Sequence, residues 1–156
     1  IFVVAFAAVS AAGFVDDYLA YLLARASHLI SSEFHAVVEA SGLSLLEWRV
    51  MATLSGKDSL SINELASSVL AKQPTVTKLV GRMQEAGWVR RCDAAHAKRQ
   101  SLVSLTPAGR RKVQPLLVQA KAHEAGVVAE LGAARAEQLK RMLERLIAAH
   151  AGEGEG

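Results

Sequence analysis

The chain has little of the chemistry on which disulfide-bonded, zinc-finger or membrane-spanning proteins depend. Only one of its 156 residues is cysteine, which excludes an internal disulfide and a zinc finger built on cysteines. No apolar run is long enough for an assured membrane span. Aromatic residues make up 5% and prolines number three, so Leu, Val, Ala and Ile must build the core, and helices are favoured over strands. The length predicts one compact domain, with or without added dimerisation helices.

Sequence signatures of several enzyme classes are also absent. There is no P-loop, no glycine-rich dinucleotide fingerprint, no HExxH zinc-protease motif and no GxSxG nucleophile elbow. The five histidines are scattered over predicted helices and one loop. We therefore expect a protein that is not an enzyme and that uses no cofactor and no metal.

The first fifteen residues, IFVVAFAAVSAAGFV, are almost wholly apolar. They are too few for a bilayer span, and no basic residue precedes Arg25, as a secretory signal would require. Because the sequence does not begin with Met, it can start inside a longer or processed chain. We expect residues 1–15 to be an apolar arm that packs on other helices or an expression-derived segment; the remnant of an export signal is the third alternative.

Charge is distributed unevenly along the chain. Between Lys72 and Lys112 there are ten Lys and Arg residues and two acids, Glu85 and Asp93, so this segment carries +8 and the rest of the chain −5. A basic block inside an acidic chain is typical of a protein that binds a polyanion. It also favours a cytoplasmic protein over an exported one. The plainer alternative is a solvated charged face, since charge runs are common.

Hydrophobic periodicity predicts the first helices. Acids at Asp16-Asp17 can open a helix, apolar residues at helical spacing continue it, and Ser41-Gly42 ends it. A second helix covers about Leu45 to Leu54. A capping box of Ser61 and Glu64 starts a short third helix, because each of these side chains can bond the other's backbone N–H.

The next helix runs from about Gln73 to Ala86, with Pro74 in its first turn and Gly87 as its left-handed terminator. The spacing of apolar residues then changes from a helical to an alternating pattern. Residues 88–91 and 101–105 are predicted to form two strands joined by a polar loop. Thr106-Pro107 begins a long helix, Gly132 ends it, and a final helix follows.

This order of elements predicts a mainly α fold, a winged helix-turn-helix with a two- or three-stranded wing and N- and C-terminal dimerisation helices. The DNA-binding domain would cover residues 45–106, and the helical dimerisation region residues 16–44 and 107–150. Residues 151–156 would form a flexible tail, because the sequence there alternates Gly and Glu.

The ordered motifs resemble the MarR (multiple antibiotic resistance regulator) family of bacterial transcription factors. The resemblance spans about Tyr18 to Ile147. It is carried by LLEWRV at 45–50, INELA at 62–66, PTVTKLVGRM at 74–83, GWVRR at 87–91, KR at 98–99 and LTPAG at 105–109. It implies a homodimer that binds double-stranded DNA at a pseudo-palindromic operator, usually as a repressor, and that a small ligand or an oxidant releases.

The chain departs from the family pattern at two places. The family usually has an Asp two residues before the arginine that here is Arg99, and this chain has Ala97. Before the helix at 73–86, it has Leu70-Ala71-Lys72 where a glycine and a serine-type cap would be usual. Both departures concern the geometry of the DNA-reading parts rather than the fold.

A helix of about ten to twelve residues fits the major groove, where its first residues meet base edges. Four apolar residues of the helix at 73–86 are expected to face inward, namely Val76, Leu79, Val80 and Met83. Gln73 suits adenine, and an arginine on a wing tip suits a narrow minor groove. The predicted DNA contacts are Gln73, Pro74, Thr75, Thr77, Lys78, Arg82, Arg90, Arg91, Lys98 and Arg99.

The family's effector cavity typically lies between the dimerisation helices and the DNA-binding head. The candidate ligand-binding residues are Tyr21, Arg25, His28, Trp48 and Arg49. An arginine beside a tryptophan suits an aromatic carboxylate, because the guanidinium binds the acid and the ring stacks. The alternative is that Trp48 belongs to the core and that Arg49 pairs with an acid.

Three further functions stay open. Cys92 follows two arginines, which would lower its pKa in a redox-responsive member of the family. His28 and His35 share one helix face and would form part of a zinc site, although two histidines alone are a weak set. A winged helix can also serve as a protein-interaction module without specific DNA binding.

Overall fold

The computed structural model describes residues 13–93 and 101–151. A short 3-10 helix covers Phe14–Asp17. The α-helices and strands that follow are α1 Leu19–Ala40, α2 Leu45–Ser55, β1 Leu60–Ser61, α3 Ile62–Val69, α4 Gln73–Glu85, β2 Val89–Asp93, β3 Ser101–Leu105, α5 Pro107–Leu131 and α6 Ala133–His150. Most of the predicted arm, the wing loop and the end of the predicted tail lie outside the described residues. The chain divides into two compact units, residues 1–35 and 36–156.

The start of α1 differs from the sequence-based expectation. Asp16 and Asp17 end the 3-10 turn instead of opening the α-helix, which begins at Leu19. The Asp16 carboxylate accepts a hydrogen bond from the Gly13 N–H at 3.0 Å, and the rings of Phe14 and Tyr18 stack with centroids 5.1 Å apart. The acids therefore stabilise a tight turn that precedes the helix.

The core of the second unit is aliphatic, as the low aromatic content predicts. Helix α2 contributes Val50, Met51 and Leu54, and α3 contributes Leu65 and Val69. The four residues of α4 that were expected to face inward, Val76, Leu79, Val80 and Met83, are all buried. Val89 of β2 and Val103 and Leu105 of β3 are also buried. Because alternate residues of a strand share one face, one face of the sheet packs on this core.

The sheet has the strand order β1-β3-β2, and both pairings are antiparallel. The wing, predicted to be two- or three-stranded, therefore has three strands. The sequence patterns locate β2 and β3 but not β1, whose two residues pair with Leu102 and Val103. Two residues are too few to show a period of two, so only the tertiary structure reveals this strand.

Turns on both sides of α4 set its direction. Gly87 has φ +75° as the predicted terminator, and the Trp88 N–H returns to the Met83 carbonyl at 2.9 Å. Before α4, Leu70 takes the left-handed conformation that a glycine would favour, with φ 56° and ψ 46°. Lys72 stands at the N-cap without a side-chain hydrogen bond. The sequence Leu70-Ala71-Lys72 therefore still forms the expected turn. It does so with a strained backbone at Leu70 and with no side-chain cap at the start of α4.

The motif LTPAG fastens the start of α5 to the base of the wing. Thr106 is the N-cap: its hydroxyl accepts from the Gly109 N–H at 3.0 Å and donates to the Gly87 carbonyl at 2.6 Å. The Thr106 N–H donates to the Trp88 carbonyl at 3.0 Å. From there α5 continues through Pro115 to Leu131, and Gly132, with φ +82°, separates it from α6.

Candidate DNA-binding interface

Helix α4 presents a polar, cationic face to solvent. Its residues Gln73, Pro74, Thr75, Thr77, Lys78 and Arg82 are all exposed, whereas its four large apolar side chains are buried. Pro74 stands in the first turn, where its missing N–H leaves no helical hydrogen bond unmade. The helix therefore offers one continuous side that is free of the apolar residues fixing it to the core.

Thr77 is already bonded within its own helix. Its hydroxyl donates to the Gln73 carbonyl at 2.9 Å. A hydroxyl that bonds back to the preceding turn leaves the γ-methyl as the group available to an outside partner. The structure thus gives Thr77 an apolar contact surface of the kind that a thymine methyl group would match.

Arg91 links the wing to this helix. One of its terminal guanidinium nitrogens donates to the Thr77 carbonyl at 3.1 Å. An arginine carries five N–H donors in a fixed plane, so the others remain for a further acceptor on the exposed side. Arg91 is therefore both a brace between β2 and α4 and a cation beside the exposed face of α4.

Arg90 lies on the opposite face of the sheet. Its Nε donates to the Ser104 hydroxyl at 3.1 Å, and these two residues are direct partners in the pairing of β2 with β3. Successive side chains of a strand point to opposite faces. The structure therefore brings Arg91 to α4 and does not bring Arg90 there, although both were predicted from sequence to contact DNA.

A small polar cleft of about 270 Å³ lies where the wing meets the starts of α3 and α4. Gln73, Thr77 and Arg91 line it from the predicted set. Asn63 and Ser101 also line it, and neither was predicted from sequence as a site residue. Nothing in their sequence context distinguishes them. The packing of α3 on α4 places Asn63 at the cleft, and the pairing of β3 with β1 and β2 places Ser101 there.

Ser61 is committed to its capping box. Its N–H and its hydroxyl both donate to the Glu64 carboxylate at 2.8 Å, and its hydroxyl oxygen accepts from the Glu64 N–H at 3.3 Å. Hydrogen bonds from the backbone N–H and then the hydroxyl of Ser61 lower the pKa of Glu64 below its usual value. Ser61 is buried and therefore serves the start of α3.

Two predicted wing-tip contacts, Lys98 and Arg99, lie outside the described residues. The predicted ligand residues fall on both units. Tyr21, Arg25 and His28 occupy one face of α1 in the first unit, at helical spacing and exposed. In the second unit, Trp48 is half-buried and Arg49 exposed, and both line a groove of about 300 Å³ beside the end of α3. A ligand site that joins the two sets stays a prediction.

A zinc site finds no geometric support within residues 13–93 and 101–151. No group of three His, Cys, Asp or Glu side chains that could hold a metal ion lies among them. Cys92, the residue on which a redox response would depend, is exposed on β2. No helix in this part of the chain is long and apolar enough to cross a membrane.

Comparisons with known proteins agree with this architecture. A sequence profile of the MarR family matches residues 41–100. The HTH-type transcriptional repressor Mb2911 of Mycobacterium bovis is 31% identical over 135 residues, which cover 86% of this chain and 97% of that protein. The homoprotocatechuate degradative operon repressor of Escherichia coli is 26% identical over 134 residues, covering 86% and 90% of the two chains.

A solved structure shows the same relationship in three dimensions. The MarR family transcriptional regulator SPO1453 from Silicibacter pomeroyi is 36% identical, with a TM-score of 0.77, and the match covers 86% of this chain and 98% of that one. Its agreement extends beyond the wing to most of both chains. This chain therefore belongs to the MarR family of transcriptional regulators.

Proposed function

We propose that the chain is a homodimeric, sequence-specific DNA-binding repressor that a small ligand releases from its operator. It acts in the cytoplasm and is not an enzyme. The observation that carries this proposal is the division of α4 into a buried apolar side and an exposed side with Lys78 and Arg82. In a winged helix-turn-helix, such a helix enters the major groove and its first residues contact base edges.

The first turns of α4 supply the base contacts. The Gln73 amide can form a bidentate pair with adenine, and the γ-methyl of Thr77 can contact a thymine methyl. Pro74 and Thr75 pack beside them, and Lys78 reaches a guanine or a phosphate. These side chains are exposed in the free protein, so they need no rearrangement of the core to meet DNA.

Cations around α4 supply the phosphate contacts. Arg82 stands farther along the helix, and the Thr77 carbonyl holds Arg91 beside α4. Lys98 and Arg99 would enter the adjacent minor groove from the wing tip, and Arg90 would contact the backbone from the outer face. Phosphate contacts fix register and orientation, whereas base contacts give sequence preference.

Two copies of the chain would bind together through residues 16–44 and 107–150. Helix α6 leaves a stripe of large apolar side chains exposed, with Leu139 at 37%, Met142 at 47%, Leu146 at 39% and Ile147 at 68% of full exposure. Residues four apart, or three apart, share one face of a helix. Burial of this stripe against a second copy would bring together two DNA-binding domains, each formed by residues 45–106. The two domains would then occupy half-sites one helical turn apart.

A small aromatic acid is the proposed effector. The Escherichia coli relative is named as the repressor of an operon for homoprotocatechuate degradation, and homoprotocatechuate is an aromatic carboxylic acid. Tyr21, Arg25, His28, Trp48 and Arg49 supply rings and guanidinium groups suited to such a ligand. A thermal-shift series with phenolic acids tests this, because a ligand bound only by the folded state raises the melting temperature.

Fluorescence anisotropy with the intergenic DNA next to the gene tests the central proposal. The protein should bind this duplex more tightly than a scrambled duplex of equal composition, and affinity should fall steeply with added salt. Lys78→Ala should weaken binding, whereas Lys121→Ala, the same charge change on exposed α5, should not. Gln73→Ala should relax base preference at one position in a randomised-site selection. Equal affinity for both duplexes at every salt concentration would refute sequence-specific binding.

A further inference from the structure

A groove of about 540 Å³ lies between the last turn of α1 and the first turns of α5. This volume is in the range of small-molecule sites. The groove shares no lining residue with the ligand set predicted from sequence, because its walls are residues 36–41 and 112–119. It is therefore a separate candidate site within the second unit.

The lining is aliphatic around one cation. Ala36, Val37 and Ala40 line it from α1, and Pro115 and Leu116 line it from α5. Lys112 is the one charged side chain among the described lining residues, and no aromatic ring is among them. A ligand that complements these walls has an alkyl body and a single negative charge.

Lys112 already makes two contacts that hold its ammonium group in place. Its Nζ donates to the Ser41 carbonyl at 2.9 Å, and it lies 5.4 Å from the centre of the Trp88 ring. An ammonium group has three donors, so a carboxylate in the groove can add a charge-assisted hydrogen bond without first breaking the bond to Ser41. The cation is thus positioned before any ligand enters.

We propose that this groove binds a medium-chain aliphatic carboxylate. The carboxylate pairs with Lys112, and the alkyl chain lies along Val37, Ala40 and Leu116. The charge of Lys112 discriminates the acid from its neutral amide, while the absence of a lining ring removes the stacking that would favour an aromatic acid.

Binding at the groove has a consequence for the wing. Lys112 contacts the ring of Trp88, and the backbone carbonyl of Trp88 accepts from Thr106 at the junction between the wing and α5. A carboxylate that pairs with this ammonium weakens its electrostatic interaction with the ring and so changes the surroundings of Trp88. Binding of the carboxylate needs no DNA. An effect of the bound carboxylate on DNA affinity rests on the proposed function.

Trp88 can report on the site directly. The chain has two tryptophans, so Trp48→Phe leaves Trp88 as the only one. Titration of this variant with octanoate should give a saturable change in Trp88 emission, and octanamide should bind about tenfold more weakly, since hydrogen bonds to charged groups are worth that much. Equal affinity for octanoate and octanamide, or no saturable change, would overturn the proposal.

Substitutions locate the site. Lys112→Gln should abolish the preference for octanoate over octanamide, and Lys112→Arg should retain it. Ala40→Met should fill the groove and remove binding of both, whereas Ala122→Met, at an exposed alanine of α5 outside the groove, should leave it intact. If Ala40→Met instead weakens self-association and octanoate does not bind, a second copy occupies the groove and the proposal fails.

A parallel anisotropy titration keeps the two proposals apart. Octanoate should change the affinity of the wild-type protein for its operator, and Lys112→Gln should lose this effect. Octanoate binding without any DNA binding would contradict the proposed function alone. Operator binding without octanoate binding would contradict this inference alone.

Discussion

The carbonyl oxygen of Trp88 lies so close to Gly109 that a side chain at Gly109 would overlap it. The same carbonyl accepts the N–H of Thr106. Two features of the LTPAG motif, the cap and the glycine, therefore bring the first turn of α5 onto Trp88, three residues after the end of α4. This contact joins the predicted dimerisation helix to the predicted DNA-binding domain.

Gly109→Ala should destabilise the protein by about 1 to 3 kcal/mol, the usual cost of overpacking, because the new methyl group must push α5 away from the base of the wing. Gly126→Ala is the matched control on the same helix. A side chain at Gly126 would meet nothing within 4 Å, so alanine there should stabilise by up to about 1 kcal/mol. Urea denaturation measures both. Equal effects of the two substitutions would show that the contact with Trp88 does not constrain α5.

Leu70→Gly should stabilise the protein by about 1 kcal/mol. Leu70 has φ 56° and is 88% exposed, so glycine relieves the left-handed strain while little packing is lost. Gly87→Ala is the converse substitution, since Gly87 has φ +75° in a turn that is open to a side chain; it should destabilise by about the same amount. Thermal denaturation of both variants checks the prediction, and a destabilised Leu70→Gly would mean that the exposed leucine makes an apolar contact in the assembled protein.

Local signals in the sequence were enough to predict most elements. Each of these signals affects only neighbouring residues, so it can be recognised in the sequence. Examples are the Ser61–Glu64 capping box, Pro74 in the first turn of α4 and Gly87 after its end. The inward face of α4 was also predicted correctly, because a period of 3.6 separates Val76 and Val80 from the polar side.

The features that could not be predicted from sequence depend on residues distant in the chain. Strand β1 exists because Leu60 pairs with Val103. Arg91 bonds Thr77 across 14 residues, and adjacent Arg90 bonds Ser104 on the other face; the motif GWVRR gives no indication of which arginine faces α4. Leu70 adopts a conformation that its own propensity disfavours, since the packing of α3 and α4 determines the turn between them.

The start of α3 should lose stability in acid through Glu64. Hydrogen bonds from Ser61 hold the pKa of Glu64 below its usual value near 4.5. A carboxyl group with a lowered pKa in the folded state stabilises the protein above its unfolded-state pKa, and this contribution is lost as the pH falls through the folded-state value. The wild type should therefore lose more stability than Glu64→Gln between neutral pH and pH values below 4.5. Parallel pH dependence of urea midpoints would contradict the assignment.

Arg91→Ala and Arg90→Ala form a matched pair, because the two residues are adjacent and equal in charge. Arg91→Ala should weaken operator binding about tenfold or more and lower the salt slope by about one, since it removes both the proposed phosphate contact and the bond that holds β2 to the Thr77 carbonyl. Arg90→Ala should have the smaller effect, because its side chain is bonded to Ser104 on the opposite face of the sheet. Anisotropy titrations over a range of salt concentrations separate the two. If both variants lose the same affinity, the electrostatic field of the wing, rather than the brace between Arg91 and α4, determines how this part of the protein binds DNA.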